Sequence, residues 1–141
     1  EIDFHVGALT EMGSRLTNLS VYSNLYLYPG MSYDFFQELL DKSTFYLDIQ
    51  HDVEILASSL RAVERGILLY TLDNLTHHEE YKKLETCYDT TETLIQNVRQ
   101  VLENPDKYHQ LSRNQAQILG ITSLEDYRTL FDRWERKCDC L

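Results

Sequence analysis

TFYLDIQHDVEILASSLRAVERGILLYT, residues 44–71, is the stretch whose reading decides the fold. Residues 44–49 are rich in β-formers and read as a strand. A helix is expected from about Asp52 to Arg65, with Val53, Leu56, Leu60 and Val63 on one face. Gly66 stands where a helix C-terminal cap belongs. Residues 67–71 are then almost wholly apolar, as strands buried on both faces tend to be.

The same alternation extends in both directions. Upstream, residues 2–9 read as a strand. Residues 10–19 place Met12, Leu16 and Leu19 at helical spacing, and residues 24–28 form another strand. Pro29-Gly30 ends that strand, and Ser32 caps a helix whose buried stripe is Phe35, Phe36, Leu39 and Leu40. Downstream, Thr76-His77-His78-Glu79 fits a capping box opening a short helix, and residues 85–88 form a fifth strand. A helix over 91–103 buries Leu94, Ile95, Val98 and Leu102, and Pro105 breaks it. Helix is expected again through Leu111 to Leu119, and after the box Thr122–Glu125 over 124–136, with Leu124, Tyr127, Leu130, Phe131 and Trp134 inward.

Strands alternating with helices imply an α/β fold, a doubly wound, Rossmann-like parallel sheet with helices on both faces. Ligands of such sheets sit beyond the carboxyl ends of the strands. That directs attention to loops 7–12, 49–54 and 72–78.

The length, 141 residues, suits a single domain, and the strand-like opening Ile2–Val6 suggests a piece of a longer protein. The net charge of -10 argues against a nucleic-acid backbone binder, which needs a basic patch, but leaves room for a nucleotide or a basic partner. Three cysteines, Cys87, Cys138 and Cys140, do not make a disulfide framework, so a reducing compartment is expected. Neither a signal peptide nor an apolar stretch long enough for a membrane span is seen in the sequence. The expected location is the cytoplasm.

Each loop supports a functional and a structural reading. In loop 7–12, Gly7, Thr10 and Glu11 can meet a phosphate or sugar; the plain alternative is a tight turn with a Thr10 cap. In loop 49–54, His51, Asp52 and Glu54 can bind a substrate hydroxyl or act as a base, and His51 can equally be structural. Asp52 and Glu54 suit the N-terminus of the following helix. Loop 72–78 offers Asn74 and His77 as further donor or substrate contacts. His77 and His78 are adjacent, and neighbours on a helix diverge by about 100°, so no shared metal ion is expected. No cofactor is expected either.

From Phe4 to about Leu84 the chain resembles the C-terminal domain of the paired glycosyltransferases of the accessory Sec system of streptococci and related bacteria. The segments that carry the resemblance are ALTEMGSRL at 8–16, NLYLYP at 24–29, FYLDIQH at 45–51 with Glu54, and Arg61-Ala62. The resemblance implies the C-terminal half of a two-domain GT-B protein. One subunit of such a pair transfers N-acetylglucosamine from UDP to Ser or Thr of serine-rich adhesins. The other, homologous subunit lacks transfer activity, stabilises its partner and helps to hold the acceptor.

Retaining GT-B enzymes usually carry two Glu, separated by seven residues, before a Gly. Aligned on Gly66, those positions fall at Arg61 and Val53, and a one-residue slip gives Ala62 and Glu54. Neither register yields a pair, and a guanidinium cannot accept the ribose hydrogen bonds. The expectation is therefore a stabilising, acceptor-binding subunit whose partners are a homologous glycosyltransferase subunit and a Ser/Thr-rich protein. The alternative is the donor-binding half of an active UDP-sugar transferase, in which His51, Asp52 or Glu54 replaces the missing carboxylates and a UDP-sugar is the donor that the pocket would take. In that case too the chain would be inactive alone, because the other domain supplies the acceptor site.

Overall fold

A computed structural model describes residues 2–51 and 54–121 and divides them between two compact units, parting between Lys42 and Ser43. Each unit is an α/β arrangement of parallel strands, as the alternation predicts. The strands hydrogen-bond as a pair and a triplet.

In the first unit, β1 (Phe4–Gly7) runs parallel to β2 (Leu25–Tyr28), with Phe4 opposite Leu25 and Gly7 opposite Tyr28. The expected helix over 10–19 is shorter: α1 spans Ser14–Thr17, and a 3-10 turn follows at Asn18–Val21. This stretch is dense in Ser, Thr and Asn, whose side chains compete with the backbone and weaken a helix interior. Met12 and Leu16 are half-buried, whereas Leu19 is exposed. The helix α2, Tyr33–Asp41, starts as predicted, with Ser32 Oγ accepting the Phe35 amide at 3.2 Å. Of its apolar stripe only Leu40 is fully buried; Phe36 and Leu39 are half-buried and Phe35 is exposed.

In the second unit, β4 (Leu68–Leu72) lies between β3 (Phe45–Asp48) and β5 (Cys87–Tyr88), parallel to both. Leu68, Leu69, Tyr70 and Thr71 are completely buried, which is why the sequence here reads as a continuous apolar run. Side chains alternate across the strand. Leu68 and Tyr70 pack with Leu94, Val101 and Leu111 of α4 (Thr91–Leu102) and α5 (Pro105–Ile118). On the opposite face, Leu69 packs with Tyr81, Leu84 and Val63 of α3, Ser58–Glu64.

Several expected boundaries move. Pro105 begins α5, occupying its first turn behind the cap Asn104, where a missing N–H costs nothing. Along α4, Leu94 is buried and Val98 half-buried, but Ile95 and Leu102 are exposed. The Thr76–Glu79 box opens no α-helix; the segment continues into a 3-10 turn at Tyr81–Lys83. The Thr122–Glu125 box, the helix 124–136, Cys138 and Cys140 lie outside the described residues.

One buried residue of α5 completes the sheet. β5 meets β4 only at Thr71 and Leu72, so the Leu69 backbone on that side has no strand to pair with. Gln115 takes the strand's place: its Oε1 accepts the Leu69 N–H at 3.0 Å and its Nε2 donates to the Leu69 carbonyl at 2.7 Å. The same Nε2 donates to Thr86 Oγ1 at 2.6 Å. One side chain thus satisfies both polar groups of a buried backbone residue.

Candidate functional site

The carboxyl ends of β3 and β4 concentrate the polar groups of the second unit. The predicted helix after β3 begins late. Leu56 and Ala57 both take left-handed backbone angles (φ 58° and 50°), and α3 starts only at Ser58. Neither residue is Gly, and each such conformation costs about 1–2 kcal/mol. The buried face of α3 therefore consists of Ser58, Ser59, Ala62 and Val63, while Leu56 and Leu60, expected inward, are exposed.

Glu54 holds this turn. Ala57, in the cap position, makes no side-chain capping bond. Glu54 Oε1 instead accepts the Ser59 amide at 2.6 Å, and its Oε2 pairs with His78 Nε2 at 2.9 Å. Burial alone would raise the Glu54 pKa, but the bonds from Ser59 and His78 outweigh it and hold the carboxyl below its usual range. The capping role read from the sequence is borne out, though the carboxylate reaches across the turn to do it. Arg61 adds a brace, its Nε donating to the Leu56 carbonyl at 2.8 Å.

Asp48, the last residue of β3, presents the opposite case. It is 1% exposed, and neither carboxylate oxygen has a hydrogen-bond partner. The nearest charge partner is His77 Nδ1 at 3.7 Å, too far for a hydrogen bond. Burial pushes the Asp48 pKa up against the opposing pull of His77. His77 Nδ1 and Ser59 Oγ are likewise buried without partners. The consecutive histidines thus face different carboxylates, His77 towards Asp48 and His78 towards Glu54. Among the described residues no three His, Cys, Asp or Glu side chains group to hold a metal ion.

Beside the Glu54–His78 pair opens a groove of about 320 Å³, walled by Ala57, Leu60, Tyr81, Ile118 and Leu119. The other predicted site residues are dispersed. His51 and Asn74 are exposed, and Asp52 lies outside the described residues. In the first unit, Gly7 lies against the end of the Met31 side chain, which an added Cβ would displace. The loop after it is sewn to the next turn: the Ala8 and Thr10 carbonyls accept the Met31 and Gly30 amides at 2.8 and 3.1 Å. Thr10 does not cap α1, whose cap is Gly13, and both Thr10 and Glu11 are exposed. Sequence reasoning missed Asp48 and His78 as site residues. An Asp within an otherwise apolar strand was the available signal for the first.

Residues 1–115 match the family described as GftB/GlyA-F C-terminal domain. The chain is 28% identical over 130 residues to a UDP-N-acetylglucosamine–peptide N-acetylglucosaminyltransferase stabilizing protein GtfB of Streptococcus pneumoniae, covering 91% of this chain and 29% of that protein. It is 42% identical over 74 residues to the stabilizing protein GtfB of Streptococcus parasanguinis, covering 52% of this chain and 17% of that protein. The chain thus spans under a third of the length of these relatives. The fold matches a chain in the crystal structure of a GtfA/B complex bound to UDP and GlcNAc, with a TM-score of 0.75, 23% identity, and coverage of 92% of this chain and 30% of that one. This match establishes the GT-B type of α/β fold.

Proposed function

The chain belongs to the GftB/GlyA-F C-terminal domain family, and from that premise we propose that it is the C-terminal part of a stabilising subunit for a protein O-glycosyltransferase. The partner is a homologous, catalytic glycosyltransferase subunit, and the pair acts on Ser/Thr-rich acceptor polypeptides in the cytoplasm, reaching the inner membrane face only through the complex. No helix among the described residues is long and apolar enough to cross a membrane, in keeping with that placement.

The observation that carries this reading is the state of the turn before α3. Where the resemblance would place the ribose-holding Glu stands Arg61, which donates to the Leu56 carbonyl. Both oxygens of the nearby Glu54 are turned inward, to Ser59 and His78. This turn is built to hold itself, and among its described residues it offers a ribose no carboxylate. What it supports is a nucleotide-sugar site converted into structure, with the protein's work moved to its partner and acceptor.

A titration with UDP and UDP-N-acetylglucosamine, followed by amide chemical shifts, tests the proposal. No shifts are expected at several millimolar. Shifts saturating at or below about 1 mM, roughly 4 kcal/mol of binding, would overturn it if they fell on residues 49–51, Glu54 and 72–78. That result would restore His51, Glu54, Asn74 and His77 as donor contacts. Shifts confined to Gly7, Thr10 and Glu11 would overturn it equally, through a phosphate site in the first unit.

A further inference from the structure

Glu54 joins two elements that are otherwise separate. One oxygen serves the first turn of α3 and the other serves the loop between β4 and β5. Its side chain is 7% exposed, so water does not stand ready to replace either bond. The segment it closes is not self-sustaining, because Leu56 and Ala57 are both left-handed and Ala57 supplies no cap. On the loop side, His77 leans over Asp48, whose buried carboxyl is without hydrogen bonds while the loop is down.

We propose that His78, Glu54 and the first turn of α3 form a latch, so that lifting the 73–80 loop and unravelling the 55–59 turn are one event. The closed state carries two costs, the left-handed pair and the orphaned Asp48 carboxyl. Both are relieved on opening, as the turn relaxes and Asp48 regains water. The bonds of Glu54 offset them, together with the Arg61 brace. A strained segment held by a few specific bonds is the kind of element that has two discrete arrangements. The groups facing Glu54 and Asp48 are His77, His78, Tyr46 and Tyr81, and the two carboxyls also face each other. The latch stands whether or not a donor pocket survives.

Amide hydrogen exchange on the full chain tests it residue by residue. His78→Ala removes a half-exposed ring and leaves the core intact. It is expected to speed exchange of the Ser59 amide and of the 73–80 amides together, each by about tenfold. His77→Ala alters the loop without touching the bonds of Glu54, and whatever change it makes in the 73–80 amides is expected at Ser59 by the same factor. Ala57→Gly relieves the turn without touching the loop, and should slow both sets. Loop exchange unchanged in Ala57→Gly, or Ser59 exchange unchanged in His78→Ala, would overturn the latch by showing that the two elements open separately.

Discussion

Gln115 of α5 and Asp48 of β3 are both polar side chains buried against the same three-stranded sheet, and they are treated in opposite ways. Gln115 is 2% exposed and makes three hydrogen bonds, two to Leu69 and one to Thr86. Asp48 is 1% exposed and its carboxylate makes none. The first sits where β5 has not yet begun, and it completes a ladder. The second sits at the carboxyl end, where doubly wound sheets place ligands. The contrast separates a polar group buried to finish the architecture from one whose burial the architecture tolerates at a cost.

Removing the satisfied group should have the largest effect. Gln115→Ala strands a buried N–H and a buried carbonyl, and is expected to cost about 3 kcal/mol of stability. Urea unfolding would read this as a lower midpoint. A midpoint unchanged from the parent would mean that Leu69 finds other partners, and the comparison would break.

Glu54→Ala comes next, with an expected loss of about 2 kcal/mol from the cap and the His78 bond. Its pH dependence follows from the lowered pKa. The contribution of Glu54 is present above its ordinary unfolded pKa and is lost as pH falls through the lower folded value. The gap between parent and variant should therefore be full near neutrality and close in acid.

Asp48→Asn should move stability the other way, by about 1 kcal/mol upward at neutral pH. Here the folded pKa is raised. The parent keeps its full stability below the ordinary carboxylate value and loses part of it as pH rises through the folded one. The variant does not titrate, so its advantage should vanish in acid and grow toward neutrality. Thermal unfolding across pH distinguishes the two carboxylates: opposite signs sharpen the comparison, and matching signs refute it.

What was legible in the sequence was local. Gly66 follows a helical run and so marks the end of α3, and it has the left-handed angle (φ 76°) that such a cap requires. Ser32 and β4 were equally plain, since a cap and an apolar strand are each written within a few residues. The helix before Gly66 misled because Leu56 and Ala57 continue a good helical pattern, while their backbone is set by Glu54 and Arg61. Gln115 is out of reach for a different reason: its role depends on a partner far along the chain, since it meets Leu69 across 46 residues. The alternation of strands and helices predicts a sheet, but not which side chain stands in where a strand stops short.

The helix α5 gives the second unit a direction in time. The single Tyr108 Oη–H is shared between the carbonyls of Gly66 at 2.9 Å and Thr44 at 3.1 Å, and Ser112 Oγ donates to Gly66 at 3.2 Å. With Gln115 on Leu69, three turns of one late helix tie down the entrances of β3 and β4 and the middle of β4. On a ribosome, residues 44–72 emerge well before these side chains do. Those backbone groups of β3 and β4 therefore have no partner from α5 until residue 115 clears the exit tunnel.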